Sequence, residues 1–206
     1  MRIVLASGNP GKLVELRELL ADTGIELASR RDFDLADPDE TGTTFVENAI
    51  IKARHAASYT GLPALADDSG ICVDALDGAP GLDSAIYAGA HGADEANNDK
   101  LLAALGDVPD ARRTAHYVCV LVLLRSARDP DPLIATGRWS GRILRARRGS
   151  HGFGYDPLFL PDDGGGRSSG ELDPAMKNRI SHRGQALAVL REMLPAPSPA
   201  GGRGLG

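Results

Sequence analysis

Two adjacent carboxylates, Asp67 and Asp68, lie in an otherwise apolar part of the sequence, after "GLPAL" and just before "ICV". A charge in an apolar setting costs several kcal/mol unless another group pairs with it. Successive side chains of an extended segment point to opposite sides. We therefore expect one carboxylate to face a cleft and the other to support a turn through local hydrogen bonds. The alternative is an Asx-type turn in which both merely cap backbone groups.

A second candidate site is the segment "SGNPGK", residues 7–12, between a predicted strand at 2–6 and a predicted helix at 12–24. A glycine-containing turn with a lysine at a helix N-terminus offers backbone N–H groups, a favourable dipole and a cation, which together favour phosphate binding. It is not a Walker A loop, because that motif requires Gly where Ala6 stands and Ser or Thr where Leu13 stands. The alternative is an ordinary strand-to-helix turn capped by Ser7 or Asn9. We call residues 7–12 the phosphate loop.

Glu40 adds a further carboxylate from an acidic loop at 32–43. Taken alone, it is one charge of a solvated loop. Taken with Asp68, it becomes a candidate metal ligand, because proteins usually hold Mg²⁺ by one or two carboxylates together with substrate phosphates.

Two later segments are further candidates for a binding site. The loop "HGFGYDP", residues 151–157 and here named the base loop, places Phe153 and Tyr155 among glycines, where an exposed aromatic ring could stack on a base. A tight turn with Phe153 in the core is the alternative. The segment 177–187 brings cations to the predicted start of the last helix, where they oppose the helix dipole, and such conflicts tend to mark functional positions. These residues are Lys177, Arg179, His182 and Arg183. A solvated basic face is the alternative.

The elements around these residues predict one α/β domain over 1–194 with a mixed sheet. Further helices are predicted near 44–60 and 94–105 and from about Ser181, with a long strand at 114–125. We also predict a corner at "ADDSG" and a hairpin-like pair of strands around Ser140 and Gly141. The Pro/Gly-rich segment 195–206 is predicted to be a disordered tail.

The composition excludes several classes of protein. The net charge of −5 gives no electrostatic footprint for nucleic acid, so an anionic ligand must be captured by a local cluster of donors. The sequence contains neither a run long enough to span a membrane nor a signal peptide. We therefore expect a cytoplasmic protein without nucleic-acid or membrane partners. Together, the phosphate loop, the carboxylates, the base loop and the basic cluster predict a nucleotide site with Mg²⁺.

Six motifs in register also resemble one known family. "SGNPGK", "ETGTTFVENA", "ADDSG", "GAPGLDSA", "GFGYDP" and "SHRGQA" closely resemble the inosine triphosphate pyrophosphatases, over about residues 2–194. The resemblance implies hydrolysis of ITP, dITP and XTP to the monophosphate and pyrophosphate, with Mg²⁺ as cofactor. It also implies an elongated mixed sheet flanked by helices, with two lobes around a central cleft, in a homodimer.

The resemblance assigns roles position by position. Asp68 matches the proton acceptor, and Glu40 and Asp68 match the Mg²⁺ ligands. The predicted substrate contacts are Ser7, Gly8, Asn9, Pro10, Gly11 and Lys12 at the triphosphate, Ser69 beside Asp68, Phe153, Gly154, Tyr155 and Asp156 at base and sugar, and Lys177, His182 and Arg183 at the purine edge. One departure is Ile86, where relatives commonly carry arginine.

Two alternatives stay open at this point. A Maf-type nucleotide pyrophosphatase would read other bases, and the "SHRGQA" segment argues against it. A nucleotide-binding sensor that does not hydrolyse its ligand would have no need of Asp68 and Glu40. Pyrophosphate release from ITP with Mg²⁺ separates these possibilities.

Overall fold

A computed structural model describes residues 2–194 and shows one six-stranded sheet in the order β2-β1-β3-β4-β5-β6. The strands are β1 (Arg2–Leu5), β2 (Glu26–Ser29), β3 (Ala64–Val73), β4 (Thr114–Leu124), β5 (Leu133–Ile143) and β6 (Phe159–Pro161). The helices are α1 (Pro10–Leu20), α2 (Phe45–Thr60), α3 (Asp94–Leu105), α4 (Pro174–Ile180) and α5 (His182–Met193). β1 pairs in parallel with β2 and β3, and the later pairs are antiparallel. The predicted mixed sheet flanked by helices is confirmed, while the predicted tail at 195–206 lies outside the described residues.

The order of the parallel strands locates a binding crevice. α1 leads from β1 to β2 on one side, and α2 leads from β2 past β1 to β3 on the other. In open α/β sheets, ligands bind beyond the carboxyl ends of the strands at such a reversal of strand order. β3 pairs with β1 at Ala64 and Leu65 and then continues to Val73, so Asp67 and Asp68 lie beside the loop that follows β1.

The predicted corner at "ADDSG" is wrong, because residues 64–73 form one continuous strand paired with β4 throughout. The expectation that the two aspartates face opposite sides is confirmed. On one face, α1 and α5 pack their leucines against Leu65 and Leu121. On the other face, the alanines of α2 pack against Ala64 and Ala66.

Two other local predictions also need correction. β5 runs unbroken through Ser140 and Gly141, and buried and exposed residues alternate from Ala135 to Ile143. Gly141 does not mark a turn. Its lack of a side chain lets β6 approach, since a Cβ there would lie 2.8 Å from Pro161 Cα. The cations at 177–183 belong to two helices, because Ser181 is extended and caps α5. None of the helices found between residues 2 and 194 is long and apolar enough to cross a membrane.

Candidate active site

Asp67 is the centre of a buried ion network on the α1 and α5 side of the sheet. Its Oδ1 lies 2.5 Å from Lys12 Nζ, and its Oδ2 accepts a 2.7 Å hydrogen bond from Arg183 Nε. The Ser69 hydroxyl donates to Oδ1 at 3.0 Å, and the Cys119 thiol donates to Oδ2 at 3.4 Å. Asp67 thus joins the phosphate loop to the predicted base-reading cation.

Asp68 has different surroundings on the α2 side. Its Oδ1 accepts a 2.6 Å hydrogen bond from Lys52 Nζ, which also lies 3.1 Å from Glu40 Oε2. The other oxygen, Oδ2, is buried and finds no hydrogen-bond partner among residues 2–194. Lys52 therefore brings the two predicted metal ligands together, and Asp68 keeps one oxygen uncommitted.

The pKa values of the two carboxyls shift in opposite directions. Burial alone would raise the pKa of Asp67, but Arg183 and Lys12 outweigh it and hold that pKa well below its usual range. Burial raises the pKa of Asp68 as well, and here the opposing effect of Lys52 is too small to reverse the shift. Asp67 is thus a permanent anion, whereas Asp68 has a greater tendency to take a proton.

The phosphate loop begins α1 as a capped helix start. Asn9 Oδ1 accepts hydrogen bonds from the backbone N–H groups of Gly11 and Lys12, at 2.9 and 3.3 Å. Pro10 occupies the first turn, where its missing N–H is tolerated. Asn9 capping, which the sequence left as an alternative, is therefore present. In this state a phosphate would have to replace the Asn9 side chain to reach these amides.

The predicted purine-edge cations lie close together and are paired with carboxylates. Lys177 Nζ lies 2.9 Å from Glu15 Oε1 and 2.7 Å from Asp156 Oδ2. Arg183 bonds Glu15 Oε2 as well as Asp67, and its Nη2 lies 3.2 Å from Ser69 Oγ. The alternative of a solvated basic face is wrong for Lys177 and Arg183, which are buried, whereas Arg179 is exposed and stays outside the cluster.

Phe153 lies between these cations and the phosphate loop. Lys177 Nζ is 5.1 Å and Arg183 Cζ 5.8 Å from the centre of its ring, distances that allow cation–π attraction. A Cβ on Gly11 would lie 2.7 Å from the ring, so a larger residue at position 11 would displace the ring. The half-buried ring is thus placed where it could contact a base above the start of α1.

The rest of the base loop is held from three sides. Asp156 accepts from the backbone N–H of Phe153 at 2.9 Å, and Tyr155 is buried with its hydroxyl donating to Ser84 O at 2.8 Å. Gly154, which has a positive φ of 61°, donates its N–H to Asp94 at the start of α3 at 2.7 Å. Tyr155 therefore supports the loop from beneath rather than forming an exposed platform.

His182 lies in the core beside this group. Its ring stacks on Tyr117 with centroids 4.5 Å apart, and the residue is 5% exposed. Burial, then the neighbouring Arg183, lower its pKa well below the usual range, so the ring is neutral. Its Nδ1 has no partner in the described part of the chain. A direct contact with the purine edge stays a prediction.

Sequence reasoning missed Lys52 and Glu15. Lys52 lies on the stripe of α2 that carries Ala49, Ala53 and Ala56, and a lysine on an apolar stripe was the signal that could have found it. Glu15 follows Lys12 on α1 by less than one turn, but nothing in its spacing indicates partners in α4 and α5.

The donor set of Glu40 and Asp68 suits Mg²⁺, which prefers oxygen ligands and retains several waters. The uncommitted Oδ2 of Asp68 is the feature that fits an ion best. Over residues 2–194, no group of three or more His, Cys, Asp or Glu side chains gathers to form a complete protein cage. These two carboxylates would therefore hold an ion together with phosphate oxygens and water.

Comparisons with known proteins identify the family of this chain. The sequence matches the model of the Ham1 family over residues 3–193. The dITP/XTP pyrophosphatase of Vibrio parahaemolyticus is 55% identical over 196 residues, which cover 95% of this chain and 97% of that protein. The protein of the same name from Thioalkalivibrio sulfidiphilus is 57% identical over 195 residues, covering 94% and 98%.

Solved structures of similar fold carry the same family and enzyme names. A HAM1 protein from Coxiella burnetii superimposes with a TM-score of 0.86 at 51% identity, covering 94% of this chain and 98% of its own. A nucleoside-triphosphatase / dITP/XTP pyrophosphatase from Mycobacterium abscessus gives a TM-score of 0.74 at 46% identity, covering 95% and 100%. The resemblance drawn from the six motifs is thereby confirmed, and the chain belongs to the Ham1 family.

Proposed function

We propose that this protein hydrolyses ITP, dITP and XTP to the nucleoside monophosphate and pyrophosphate. The names of relatives at about 55% identity over nearly the whole chain support this substrate class. The structural observation that carries the proposal is Asp68, a buried carboxylate at the carboxyl end of the parallel strands. One of its oxygens accepts from Lys52, and the other has no hydrogen-bond partner among residues 2–194. This arrangement suits a reaction in which water attacks a highly charged phosphate.

Mg²⁺ is the proposed cofactor, held by Glu40 and Asp68. When bound, it neutralises phosphate charge and orients the phosphates for attack. Lys52 lies between the two carboxylates and limits their mutual repulsion before substrate arrives.

Asp68 is the proposed proton acceptor. In the metal-free site, burial raises its pKa, so it takes up a proton more readily than an exposed aspartate does. Lys12 is the proposed cation for the departing pyrophosphate, and Asp67 fixes its ammonium group at 2.5 Å. Cleavage therefore falls between the α and β phosphates. Positioning and charge stabilisation supply most of the rate enhancement in such reactions.

Base choice is proposed to lie with Phe153, Lys177 and Arg183. Both cations can only donate hydrogen bonds, so they can bind the 6-oxo group of hypoxanthine and xanthine, which is an acceptor. They cannot pair with the 6-amino group of adenine, which is a donor. Glu15 and Asp156 hold Lys177, and Glu15 and Asp67 hold Arg183, so the orientations of both donors are fixed before substrate binds, which supports this proposal.

The test is pyrophosphate release from ITP, dITP, XTP, ATP and GTP with Mg²⁺ and without contaminating pyrophosphatase. We expect the 6-oxo purines without a 2-amino group to be hydrolysed fastest. Phosphate release without pyrophosphate contradicts α–β cleavage, and tight binding without turnover supports the sensor alternative.

We further propose that the protein acts on free nucleotides in the cytoplasm as a homodimer, without nucleic-acid or membrane partners. The net charge of −5 supports the absence of nucleic acid among its partners. Light scattering on the purified protein tests the dimer.

A further inference from the structure

Arg30 is a cation near the phosphate loop that no part of the mechanism above uses. It follows β2 directly, and Leu5 and Ser29 are register partners at the carboxyl ends of β1 and β2. Arg30 and the phosphate loop therefore leave the sheet side by side, at the edge where parallel strands present ligand-binding groups.

The guanidinium of Arg30 lies against the loop backbone. A Cβ on Gly8 would lie 2.9 Å from Arg30 Nη2 and 3.1 Å from Nε, so a larger residue at position 8 would displace the guanidinium. Arg30 Nε is buried and has no hydrogen-bond partner among the residues that the structure describes. Nη1 pairs with Asp37, whose side chain is 62% exposed, while that of Arg30 is 18% exposed. A donor beside the phosphate loop is thus unsatisfied, and the only acid partner of its guanidinium within residues 2–194 is this solvated carboxylate.

We infer that Arg30 is a further substrate-binding residue, whose guanidinium contacts the distal phosphates held at the phosphate loop. A planar guanidinium matches phosphate oxygens with parallel N–H donors. A solvent-exposed ion pair such as the one with Asp37 is weak, so a polyphosphate with several negative charges displaces it readily. That the ligand of Arg30 is a nucleoside triphosphate rests on the proposed function.

Three variants separate this role from a structural one. Arg30→Gln removes the guanidinium, and Arg31→Gln is the control, because Arg31 is adjacent and exposed and carries the same charge. Asp37→Asn removes the same ion pair from the other side and leaves Arg30 free. If the ion pair between Arg30 and Asp37 matters only for folding, Arg30→Gln and Asp37→Asn should lower stability and pyrophosphate affinity alike. If Arg30 binds phosphate, Arg30→Gln should lower the affinity for pyrophosphate and Asp37→Asn should raise it.

The experiment is calorimetric titration with pyrophosphate and, separately, with IMP, both in the presence of Mg²⁺. Arg30→Gln should raise the Kd for pyrophosphate about tenfold or more, as expected for a lost charge-assisted hydrogen bond, and leave the Kd for IMP unchanged. Asp37→Asn should lower the Kd for pyrophosphate, Arg31→Gln should match the wild type, and Arg30→Lys should recover part of the loss.

Several results would overturn the inference. These are no pyrophosphate binding by the wild type, equal losses in Arg30→Gln and Arg31→Gln, weaker binding in both ion-pair variants, or an equal loss of IMP affinity. A wild type that binds pyrophosphate but releases none from ITP contradicts the proposed function. The titrations still decide the role of Arg30 in that case.

Discussion

The adjacent residues Asp67 and Asp68 should respond in opposite ways to the same substitution. Replacing aspartate by asparagine keeps the shape of the side chain and removes its charge. At position 67 we expect a loss of stability, and at position 68 a loss of activity without a loss of stability. The reason is the difference in their partners, since Asp67 pairs with two cations and Asp68 with one.

The size of the effect at Asp67 follows from its burial. Its side chain is fully buried between Lys12 and Arg183. Removing one partner of a buried ion pair costs about 3–5 kcal/mol, because the remaining charges stay desolvated. For a domain of this size each kcal/mol corresponds to about 2–4 °C, so Asp67→Asn should lower the Tm by roughly 6–20 °C.

At Asp68 the charge has the opposite effect on stability. Because its pKa in the folded protein is raised above the usual value, the ionised form is less favourable in the fold than in the unfolded chain. This penalty is fully present above the folded pKa and disappears as the pH falls below the ordinary value. Lys52 stays paired with Glu40 when Asp68 is replaced, so Asp68→Asn should leave the Tm at neutral pH unchanged or higher. Hydrolysis should fall by ~10²–10⁴-fold, because the amide is a poor base.

The assay combines thermal unfolding in a metal-free buffer with Mg²⁺-dependent release of pyrophosphate from ITP. Circular dichroism confirms that each variant is folded at the assay temperature. An Asp67→Asn protein as stable as the wild type would refute the buried network. An Asp68→Asn protein that retains more than about a tenth of the rate would refute the proton-acceptor role.

Three further predictions concern pH, the base loop and the metal. The pKa of His182 is lowered from 6.5 in the folded protein, so below about pH 6.5 the unfolded chain binds a proton at this residue and the folded protein does not. The free energy of unfolding should therefore decrease by at most ~1.4 kcal/mol for each pH unit below that value. In urea titrations at several pH values, the free energy of unfolding of His182→Gln should depend less steeply on pH than that of the wild type. Asp94 accepts a hydrogen bond from the backbone N–H of Gly154, so Asp94→Ala should speed hydrogen exchange of that N–H and raise KM for ITP. The control Glu95→Ala, which removes another acid from the first turn of α3, should do neither. Equal exchange rates in the two variants would contradict a role of Asp94 in holding the base loop. Chelation of divalent cations should abolish hydrolysis and weaken binding of a non-hydrolysable ITP analogue more than binding of IMP, and equal losses would count against a metal at the phosphates.

Local patterns predicted the elements and the orientation of side chains, but not the partners that hold them. Alternation along an extended segment correctly put Asp67 and Asp68 on opposite faces. The turn signals at "ADDSG" and at Ser140–Gly141 were misleading, because Gly70 and Gly141 allow close approach of neighbouring backbone instead of forming turns. Glycine in a strand has both meanings, and only tertiary packing distinguishes them.

The partners of the cations could not be read from the sequence, since they come from distant elements. Glu15 lies on α1, while Lys177 and Arg183 lie on α4 and α5. The predicted conflict with the dipole at the start of α5 applies to Arg183 but not to Lys177, which lies in the last turn of α4, where a cation is favourable. The carboxylates that pair with these cations come from α1, β3 and the base loop. The pairing therefore depends on how these elements pack against one another.

The charge balance of the assembled site explains why a metal ion belongs to the proposal. Four cations and five carboxylates make up the two networks, Lys12, Lys52, Lys177 and Arg183 against Glu15, Glu40, Asp67, Asp68 and Asp156. Their formal sum, +4 and −5, is −1, and adding Arg30 together with its partner Asp37 leaves it unchanged. A triphosphate with several negative charges would enter such a site against repulsion. A divalent cation held by Glu40 and Asp68 would reverse the sign of the charge on this side of the site and would thereby favour the binding of a triphosphate.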